Sequence, residues 1–420
     1  MEWIRWTIVA ALACLACAPS ASAAAAKAPP PYEAHTVIVK YAPGSPASQR
    51  SLAASLAGVL ERIGRIRGTG AVVARVFGDP AKVAARLNRS PSVLYAEPNY
   101  VYRALAPQIP NDPRFGELYN LHNTGQGGGK ADADIDAPEG WGMRPNLIGF
   151  PASNAGVKIG IVDTGIMLGH EDFAGKTIEC AGVRSTGLFV LELFADPAIV
   201  PGQCADDNGH GTHVAGIIGA RANNGAGVAG VAFDSPLAVC KSGGGIFGAS
   251  PVAGIANCIA WLSERGAKII SMSIGGITRS AALDSAIAAA SQKSLLISAA
   301  GNDNSPNLSY PGGYPEVVSV AATDRNDARA SFSNYNDDVE LSAPGVDVLS
   351  TMKDGTYILL SGTSMATPHV AGVAALIAAQ GGTPAQWRAK LQRSVDDLGA
   401  PGRDPQFGFG RINLAKALAP

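Results

Sequence analysis

Residues 361–372 read SGTSMATPHVAG and run on into an apolar stretch that ends just before Gly381 and Gly382. Small residues followed by an unbroken apolar run predict a loop leading into a buried helix, which the glycine pair ends. Ser364 would then lie at the start of the helix, where backbone N–H groups lack helical partners and the dipole is positive. That position favours an alkoxide or an oxyanion, but a serine that only caps a core helix is the simpler alternative. The choice depends on the rest of the chain.

From about residue 157 onward, short apolar segments alternate with helical ones. Strands are predicted at 157–162, 228–231, 236–240, 267–274, 295–300, 317–321, 339–341 and 348–350, and helices at 211–220, 250–266, 280–294 and 384–393. Such alternation is typical of an α/β fold, a doubly wound parallel sheet with helices on both faces. Ligands in these folds bind beyond the carboxyl ends of the strands, where Asp163 and Asn302 fall.

Residues 35–103 have a different pattern, in the order strand, helix, two strands, helix and strand. This order predicts a small α+β domain of the ferredoxin-like type, in which no residue suggests catalysis. Residues 27–103 carry 11 Lys or Arg and 4 Asp or Glu, a net charge of +7, whereas residues 104–420 carry a net charge of −8. The opposite charges suggest two domains, 35–103 and 104–420, that attract each other. The near-zero total charge gives no indication of a nucleic-acid partner.

Residues 1–23 have the pattern of a secretory signal peptide, with Arg5, an apolar run and then the small residues ASA at 21–23. The run is too short to span a membrane as a helix. We therefore expect a protein secreted to the extracellular space or the periplasm, with no stable membrane association after the signal is removed. Lipidation at Cys17 is the alternative. Residues 24–34, rich in Ala and Pro, are predicted to be a linker.

Four cysteines follow the predicted signal: Cys180, Cys204, Cys240 and Cys258. An even number in an exported chain predicts disulfide bonds. Three pairings are possible, and proximity along the chain favours Cys180 with Cys204 and Cys240 with Cys258. Metal binding is the weaker alternative, because no two of them have CxxC spacing.

Three stretches place a polar group beside glycines that allow close backbone approach. Asp163 follows the strand at 157–162, His210 lies in the stretch NGHGTHVAG at 208–216, and Ser364 follows Gly362 and Thr363. A hydroxyl becomes an effective nucleophile only when a base takes its proton and a third group orients that base. Asp, His and Ser supply these roles, and their order along the chain is one of the recurring triad orders.

With these motifs, residues 110–418 resemble the subtilisin-like serine proteases. The matching stretches are DTG at 163–165, HGTH at 210–213 and GTSMATPH at 362–369. The resemblance implies a subtilisin-like fold and an acyl-enzyme mechanism, in which Ser364 attacks the peptide, His210 is the base and Asp163 orients His210. Asn302, in the stretch AAGN at 299–302, matches the family's oxyanion asparagine, and the Ser364 N–H would be the second donor.

Residues 35–103 resemble, more loosely, the inhibitory and chaperone-like propeptide of the same family. A propeptide implies a zymogen, whose N-terminal domain inhibits the catalytic domain until the chain is cut between residues 102 and 110. We expect the cut to be autocatalytic, and the enzyme to be a monomer that hydrolyses proteins and peptides. The alternatives are a catalytically silent binding or scaffold protein on the same fold, and an α/β-hydrolase esterase. The chain lacks the GxSxG motif and the residue order of the latter.

The same resemblance assigns residues that border the substrate. They are Ser273, Ile274 and Gly275, on an edge that pairs with extended substrate, and Ala299, Ala300 and Gly301; both segments would border the first specificity pocket. Residues 243–245 and Gly248 would form the facing wall. All are small or apolar, and no acidic residue is there to select Lys or Arg. We therefore expect a broad preference for apolar or aromatic side chains at P1, the substrate residue before the cut bond.

The resemblance also implies a structural calcium ion. Its ligands would be the side chains of Asp112, Asp172 and Asn224 and the backbone carbonyls of Ala222, Ala226 and Val228. Hard oxygen ligands of this kind suit Ca²⁺, and an ordinary Asn-Asn-Gly turn is the alternative. The remaining motif histidines, His170, His213 and His369, are expected to be structural rather than metal ligands, because the chain has no HExxH motif.

Overall fold

The computed structural model describes residues 32–101, 107–143, 156–184, 198–245 and 248–419. The predicted signal peptide, most of the predicted linker and the beginning of the predicted cleavage region lie outside these residues. The described residues form two compact units, 32–101 and 107–419, each with its own hydrophobic core. In the described part of the chain, no helix is long and apolar enough to cross a membrane.

The N-terminal unit is a four-stranded antiparallel sheet packed against two helices. Its elements are β1 Tyr32–Tyr41, α1 Ala47–Ala57, β2 Val59–Arg65, β3 Val72–Val76, α2 Pro80–Leu87 and β4 Val93–Tyr100, with the strands in the order β2-β3-β1-β4. Alternate residues of β1, Val37 and Val39, pack in one core with Ala53 of α1 and Leu87 of α2. The element order is the one predicted. Strand β1 begins at Tyr32, so the last three residues of the predicted linker belong to the sheet.

Local sequence explains where the helices of this unit begin and end. Helix α2 starts with Pro80 in its first turn, and the Asp79 side chain accepts the N–H of Ala81, which has no helical partner. Helix α1 ends at Gly58, whose φ of 91° lies in the left-handed region that costs glycine little. The first signal sets where α2 begins, and the second ends α1 and leads the chain into β2.

The C-terminal unit contains a ten-stranded sheet and a separate hairpin. Its strands are β5 Ile159–Asp163, β6 Ile178–Val183, β7 Ile199–Pro201, β8 Leu237–Lys241, β9 Ile269–Met272, β10 Leu295–Ala299, β11 Val317–Thr323, β12 Val339–Pro344, β13 Val348–Thr351, β14 Tyr357–Leu360, β15 Val395–Asp396 and β16 Arg411–Ile412. Strands β13 and β14 form the hairpin, and the sheet order is β15-β16-β12-β11-β10-β9-β5-β8-β6-β7. Within this order, the seven neighbouring strands from β12 through β5 to β6 are all parallel.

Helices lie on both faces of this sheet. They are α3 Ala137–Met143, α4 His210–Gly219, α5 Val252–Glu264, α6 Ala281–Ser291, α7 Thr363–Ala378, α8 Pro384–Arg393 and α9 Leu414–Leu418. Ile159 and Ile161 of β5 pack in the same core as α4 and α7, whereas Val162 packs in a second core with α5 and α6. Strand β5 is therefore buried on both faces, which explains why its sequence is unbroken and apolar. The predicted doubly wound α/β fold is confirmed.

One predicted strand is wrong. Residues 228–231 are not paired in the sheet; their backbone instead closes the end of helix α4. Gly230 N–H donates to the Ala220 carbonyl and Val231 N–H to the Ile217 carbonyl, both at 2.9 Å. The carbonyls of a last helical turn lack helical partners, so an apolar segment that supplies N–H donors can be buried against them. Hydrophobic sequence alone does not distinguish this arrangement from a strand.

Two disulfides tie elements of the C-terminal unit together. Cys180 of β6 pairs with Cys204, at a Cα–Cα distance of 5.7 Å, and Cys240 of β8 pairs with Cys258 of α5, at 5.4 Å. The first holds the segment after β7, which leads to α4, against the sheet. The second joins a strand next to β5 to a helix on one face.

Candidate active site

Asp163 lies at the carboxyl end of β5, in the middle of the sheet, and is completely buried. Its Oδ1 accepts the N–H of Thr164 at 2.7 Å and the Nδ1–H of His210 at 2.8 Å. The edge of the sheet beyond β5 is therefore where the predicted carboxylate and imidazole meet, as expected for the ligand-binding edge of such folds.

Two glycines allow this close approach. A Cβ on Gly211, the second residue of α4, would lie 2.3 Å from the Gly165 carbonyl oxygen and 3.1 Å from Asp163 Oδ1. Gly165 has a φ of 122°, and a Cβ there would lie 2.5 Å from the Cys204 carbonyl oxygen. The start of α4 can pack against the turn after β5 only because neither residue has a side chain.

The hydrogen bond to Asp163 sets the tautomer of His210. Because Nδ1 donates to the carboxylate, Nε2 carries the lone pair and can accept a proton. Burial opposes a charge on this ring, but the charge of Asp163 and its hydrogen bond outweigh burial, so the pKa of His210 is raised above its usual value. The imidazole is thus oriented and is a stronger base than a free histidine.

Asp206 is a residue of this site that sequence reasoning missed. Its Oδ1 accepts the Thr164 hydroxyl at 2.9 Å and the Gly209 N–H at 2.8 Å, while Oδ2 accepts the Thr212 N–H at 2.8 Å and the Thr212 hydroxyl at 2.6 Å. One carboxylate thus ties the turn after β5 to the start of α4. Burial alone would raise its pKa, but these hydrogen bonds outweigh burial and lower it. An acidic residue four positions before a helix start was the available signal.

Ser364 is the second residue of α7. Its Oγ donates to the Ser273 carbonyl oxygen at 3.1 Å, and the Ser273 Oγ donates in return to the Ser364 carbonyl oxygen at 2.9 Å. Ser273 directly follows β9, which lies next to β5 in the sheet. The predicted helix start and the predicted substrate edge are therefore in direct contact.

Asn302 follows β10 and faces the start of α7. Its Oδ1 accepts both the N–H and the hydroxyl of Thr363, each at 2.8 Å. Because the amide oxygen is used in this way, the Nδ2 group is the part of the side chain left to donate. Thr363, which sequence reasoning did not single out, thus determines which end of the Asn302 amide is available.

A cleft of 440 Å³ lies beside Asp163, His210 and Ser273. It is lined by Asp163, Thr164, Asn208, His210, Gly248, Ala249, Ser250, Val252, Ile255, Ser273, Ile274, Gly275, Gly276, Thr278, Leu283 and Tyr310. The first predicted specificity wall, Ser273 to Gly275, is part of this lining. Between that wall and Gly301 lies Ser309, a second residue that sequence reasoning missed. A Cβ on Gly275 would lie 2.5 Å from its Oγ, and one on Gly301 would lie 3.0 Å from its Cβ.

The other motif histidines have structural partners. His213 Nε2 donates to the Ile358 carbonyl of β14, and burial lowers the pKa of His213 to about 4. His369 Nδ1 donates to the Met365 carbonyl, and burial lowers its pKa to about 4 as well. His170 Nε2 donates to the Thr356 carbonyl. All three rings thus hold neighbouring segments together through backbone carbonyls.

The predicted calcium ligands lie together in one loop region. Asp172 Oδ1 accepts the Asn224 amide at 3.0 Å, and Oδ2 accepts the Val228 N–H at 2.9 Å. Asp112 Oδ2 accepts the Asn223 N–H at 2.8 Å, within the same loop that carries Ala222 and Ala226. In the described residues, no group of three or more His, Cys, Asp or Glu side chains forms a metal-binding cluster. Two carboxylates with amide and carbonyl oxygens are a different kind of donor set, which fits calcium if the Asn224 amide turns its oxygen inward.

Comparison with known families and proteins gives a consistent result. Residues 154–410 match the model of the subtilase family, and residues 18–99 match that of the fervidolysin N-terminal prodomain. The chain is 35% identical over 347 residues to a thermophilic serine proteinase from Bacillus sp. (strain AK1), covering 81% of this chain and 76% of that protein. It is 38% identical over 289 residues to thermitase from Thermoactinomyces vulgaris, covering 68% and 93%.

A solved structure extends the likeness to the fold. A chain described as a protease from Pseudoalteromonas arctica PAMC 21717 superimposes with a TM-score of 0.61 at 30% identity, covering 74% of this chain and 98% of that one. The chain therefore belongs to the subtilase family. It is a subtilisin-like serine endopeptidase with an N-terminal prodomain, as the resemblance of its motifs predicted.

Proposed function

We propose that this protein is a secreted endopeptidase that cuts peptide bonds with Asp163, His210 and Ser364, and that it is made as a zymogen and processes itself. The observation that carries this proposal is the 2.8 Å hydrogen bond between buried Asp163 and His210 at the cleft that Ser273 also lines. Ser273 is in turn hydrogen-bonded to Ser364. A carboxylate, a base of fixed tautomer and a hydroxyl are the three parts that acyl transfer requires.

In the proposed reaction, Ser364 Oγ leaves the Ser273 carbonyl and turns toward His210 Nε2. The base takes the hydroxyl proton as Oγ attacks the substrate carbonyl carbon, and the resulting imidazolium is stabilised by Asp163. His210 then gives this proton to the departing amine, which leaves an acyl-enzyme on Ser364. A water molecule deprotonated by His210 hydrolyses the ester and restores the hydroxyl.

The negative charge that develops on the substrate oxygen needs donors that are already in place. Asn302 Nδ2 and the Ser364 N–H are the proposed pair. The two hydrogen bonds from Thr363 to Asn302 Oδ1 support the assignment, because they leave the amide nitrogen as the donor. The N–H of Ser364 belongs to the first turn of α7, where backbone donors have no helical acceptor.

The walls of the cleft support a preference for uncharged side chains at P1. Ile274 and Gly275 line it, and Ser309 lies between Gly275 and Gly301. Ala299 and Ala300, which are proposed to border the same pocket, are small and apolar. The charged groups that line the cleft are Asp163 and His210 themselves, which are hydrogen-bonded to each other. An apolar P1 side chain would be desolvated here without leaving a charge unpaired.

We further propose that the N-terminal unit inhibits the enzyme until it is cut off between residues 102 and 110. The opposite charges of residues 27–103 and 104–420 support an attraction between them. The last strand of the unit, β4, ends at Tyr100, only a few residues before the proposed cut. The chain after β4 would then remain bound as a product. Secretion through residues 1–23 is consistent with the two disulfides.

Calcium is the proposed bound ion, held by Asp112, Asp172 and Asn224 with the carbonyls of Ala222, Ala226 and Val228. It would supply positive charge between carboxylates that burial has removed from water, and so fix the loop at 222–228. The contacts of Asp172 with Asn224 and Val228 support this location.

Hydrolysis of internally quenched peptides tests the proposed function. The secreted enzyme should cut peptides with Leu or Phe at P1 faster than those with Lys, Arg or Asp. A Ser364→Ala variant should be inactive and should retain its N-terminal unit when expressed in pure form. Ser285→Ala, an exposed serine on α6 that bonds only within its own helix, serves as control. Undiminished hydrolysis or self-processing by the Ser364→Ala variant would reject the proposal.

A further inference from the structure

The first turn of α7 contains a hydrogen-bonding conflict. In an α-helix the N–H of residue i donates to the carbonyl of residue i−4. Pro368 lies inside α7, four residues after Ser364, and has no N–H to donate. The Ser364 carbonyl therefore lacks the backbone donor that an α-helix would give it. The ring of Pro368 also crowds this carbonyl.

We propose that the Ser273 hydroxyl is a positioning group for the nucleophile, because it supplies the hydrogen bond that Pro368 cannot give to the Ser364 carbonyl. The donor atom Ser273 Oγ lies 2.9 Å from the Ser364 carbonyl oxygen, and Ser273 is 4% exposed. Water is thus poorly placed to substitute for the hydroxyl. The inference rests on the proposed role of Ser364 in catalysis.

The neighbouring carbonyls of α7 show why this bond differs from the others. The Thr363 carbonyl accepts the hydroxyl of Thr367, and the Met365 carbonyl accepts the His369 ring, each at 2.8 Å. Both of these donors belong to α7 itself and move with it. The donor to the Ser364 carbonyl comes instead from the end of β9, so this bond fixes the helix start relative to the sheet.

The position of Ser364 matters twice in the proposed mechanism. Its Oγ must reach both His210 and the substrate, and its N–H must face the developing oxyanion. Thr363 is tied to Asn302 on one side of the helix start, and Ser364 is tied to Ser273 on the other. Loss of the second tie leaves the Ser364 carbonyl free to tilt away from the proline ring. That tilt moves the nucleophile and the backbone donor together.

A double-mutant cycle tests the proposal. Ser273→Ala removes the hydroxyl, and Pro368→Ala restores an N–H four residues after Ser364. The rates are measured on mature enzyme whose active-site concentration has been determined by titration. We expect Ser273→Ala to lower kcat about tenfold with little change in KM. A tenfold loss corresponds to about one hydrogen bond lost in the transition state. In the Pro368→Ala background the same change should cost much less, because the helix then supplies the donor. The rate of labelling by a fluorophosphonate should follow kcat.

Ser294→Ala is the matched control. Ser294 is similarly buried, and its hydroxyl donates to the Ala267 carbonyl at 2.7 Å, near the opposite end of β9 from Ser273. Its loss should leave kcat close to the wild-type value. If Ser273→Ala is poorly secreted, the isosteric pair Ser273→Thr and Ser273→Val replaces it, and only the hydroxyl-bearing threonine should keep most of the kcat.

Equal losses from Ser273→Ala in both backgrounds, no loss at all, or equal activity of the Thr and Val variants would overturn the inference. Each of these results is compatible with a working triad. Failure of the wild-type enzyme to react with the fluorophosphonate at Ser364 would instead reject the proposed function, so the two failures can be told apart.

Discussion

Two carboxylates of the C-terminal unit lie in contrasting surroundings. Asp163 is buried at the end of β5 and faces a titratable base, the His210 ring. Asp172, equally buried, faces the Asn224 amide and the Val228 N–H. A buried carboxylate is stable only when hydrogen bonds or an opposite charge compensate for the lost water. The carboxylate of Asp163 is hydrogen-bonded directly to a ring that can become cationic. The carboxylate of Asp172 is hydrogen-bonded to neutral donors, and the His170 ring acts on it only from nearby.

The difference between their hydrogen-bond partners indicates which of the two regions would need a bound ion. The region of the proposed triad contains every side chain that the proposed mechanism needs, and Asp206 and Thr363 tie its segments together by hydrogen bonds. The loop region at Asp172 has oxygen atoms that can bind a cation. A bound cation would place a positive charge beside the Asp172 carboxylate, which otherwise has neutral hydrogen-bond donors. The comparison predicts that changes in the first region alter the rate, and that changes in the second alter stability through an added ion.

The largest expected effect is that of Asp163→Asn. The amide preserves the shape of the carboxylate but cannot stabilise an imidazolium, and such changes in other serine proteases cost about 10⁴-fold in kcat. Peptide hydrolysis measured at saturating substrate checks this, with Asp284→Asn, an exposed aspartate paired with Arg279, as control. A loss no larger than that of the control would show that Asp163 does not orient the base.

Asn302→Ala should have the next largest effect, about 10²–10³-fold in kcat with KM little changed, since it removes one proposed oxyanion donor. Asn326→Ala, in the turn after β11, is the control. Thr363→Val should give a smaller loss in the same direction, because it removes the hydroxyl bond to the Asn302 oxygen but keeps the N–H bond. If Asn302→Ala raises KM and leaves kcat unchanged, the side chain has a role in substrate binding instead.

The second region is tested by chelation. If calcium binds at Asp172, an ion at a hundred times its Kd adds about 2.7 kcal/mol to the free energy of unfolding, which corresponds to roughly 4 °C in Tm for a unit of this size. Thermal unfolding of the Ser364→Ala protein, which cannot digest itself, should show this loss in EDTA and its recovery in excess Ca²⁺. Asp172→Asn should have a low Tm that no longer responds to either treatment. A Tm that chelation leaves unchanged in the parent protein would remove calcium from the account.

The smallest expected effect concerns pH. Catalysis needs neutral His210, so kcat/KM falls as pH drops through the pKa of this ring, which Asp163 raises and to which Asp206 adds a further upward contribution. Asp206→Asn removes a negative charge near the ring, so the acid limb of the profile should move to lower pH. The amide keeps part of the hydrogen-bonding pattern, which limits the loss of rate at pH 8. An acid limb that does not move would mean that the Asp206 charge does not reach His210.

Sequence predicted six central strands of the sheet, β5 and β8 to β12, because each is an unbroken apolar run. It missed β6, β7, β15 and β16, which are short or lie at the sides of the sheet. It also predicted the meeting of Asp163 with His210, because both polar residues are flanked by glycines that allow close approach. It did not predict Asp206 or Ser309, because their roles depend on which segments the fold brings opposite them. It also placed residues 228–231 in a strand, since burial against the end of α4 and burial in a sheet require the same apolar sequence. The hydrogen bond from the Ser273 hydroxyl to the Ser364 carbonyl joins residues that are 91 positions apart. Neither of the two sequence motifs could predict it alone.

The central claim is that Ser364 is a nucleophile activated by His210 and Asp163. Reaction of the mature secreted protein with a fluorophosphonate probe, followed by mass spectrometry of its peptides, tests this most directly. The account predicts a single covalent adduct on Ser364, with loss of labelling in His210→Ala. An intact, folded protein that remains unlabelled would contradict it and favour a catalytically silent protein on the subtilase fold. An adduct on another serine would contradict it too, because the nucleophile would then be a different residue.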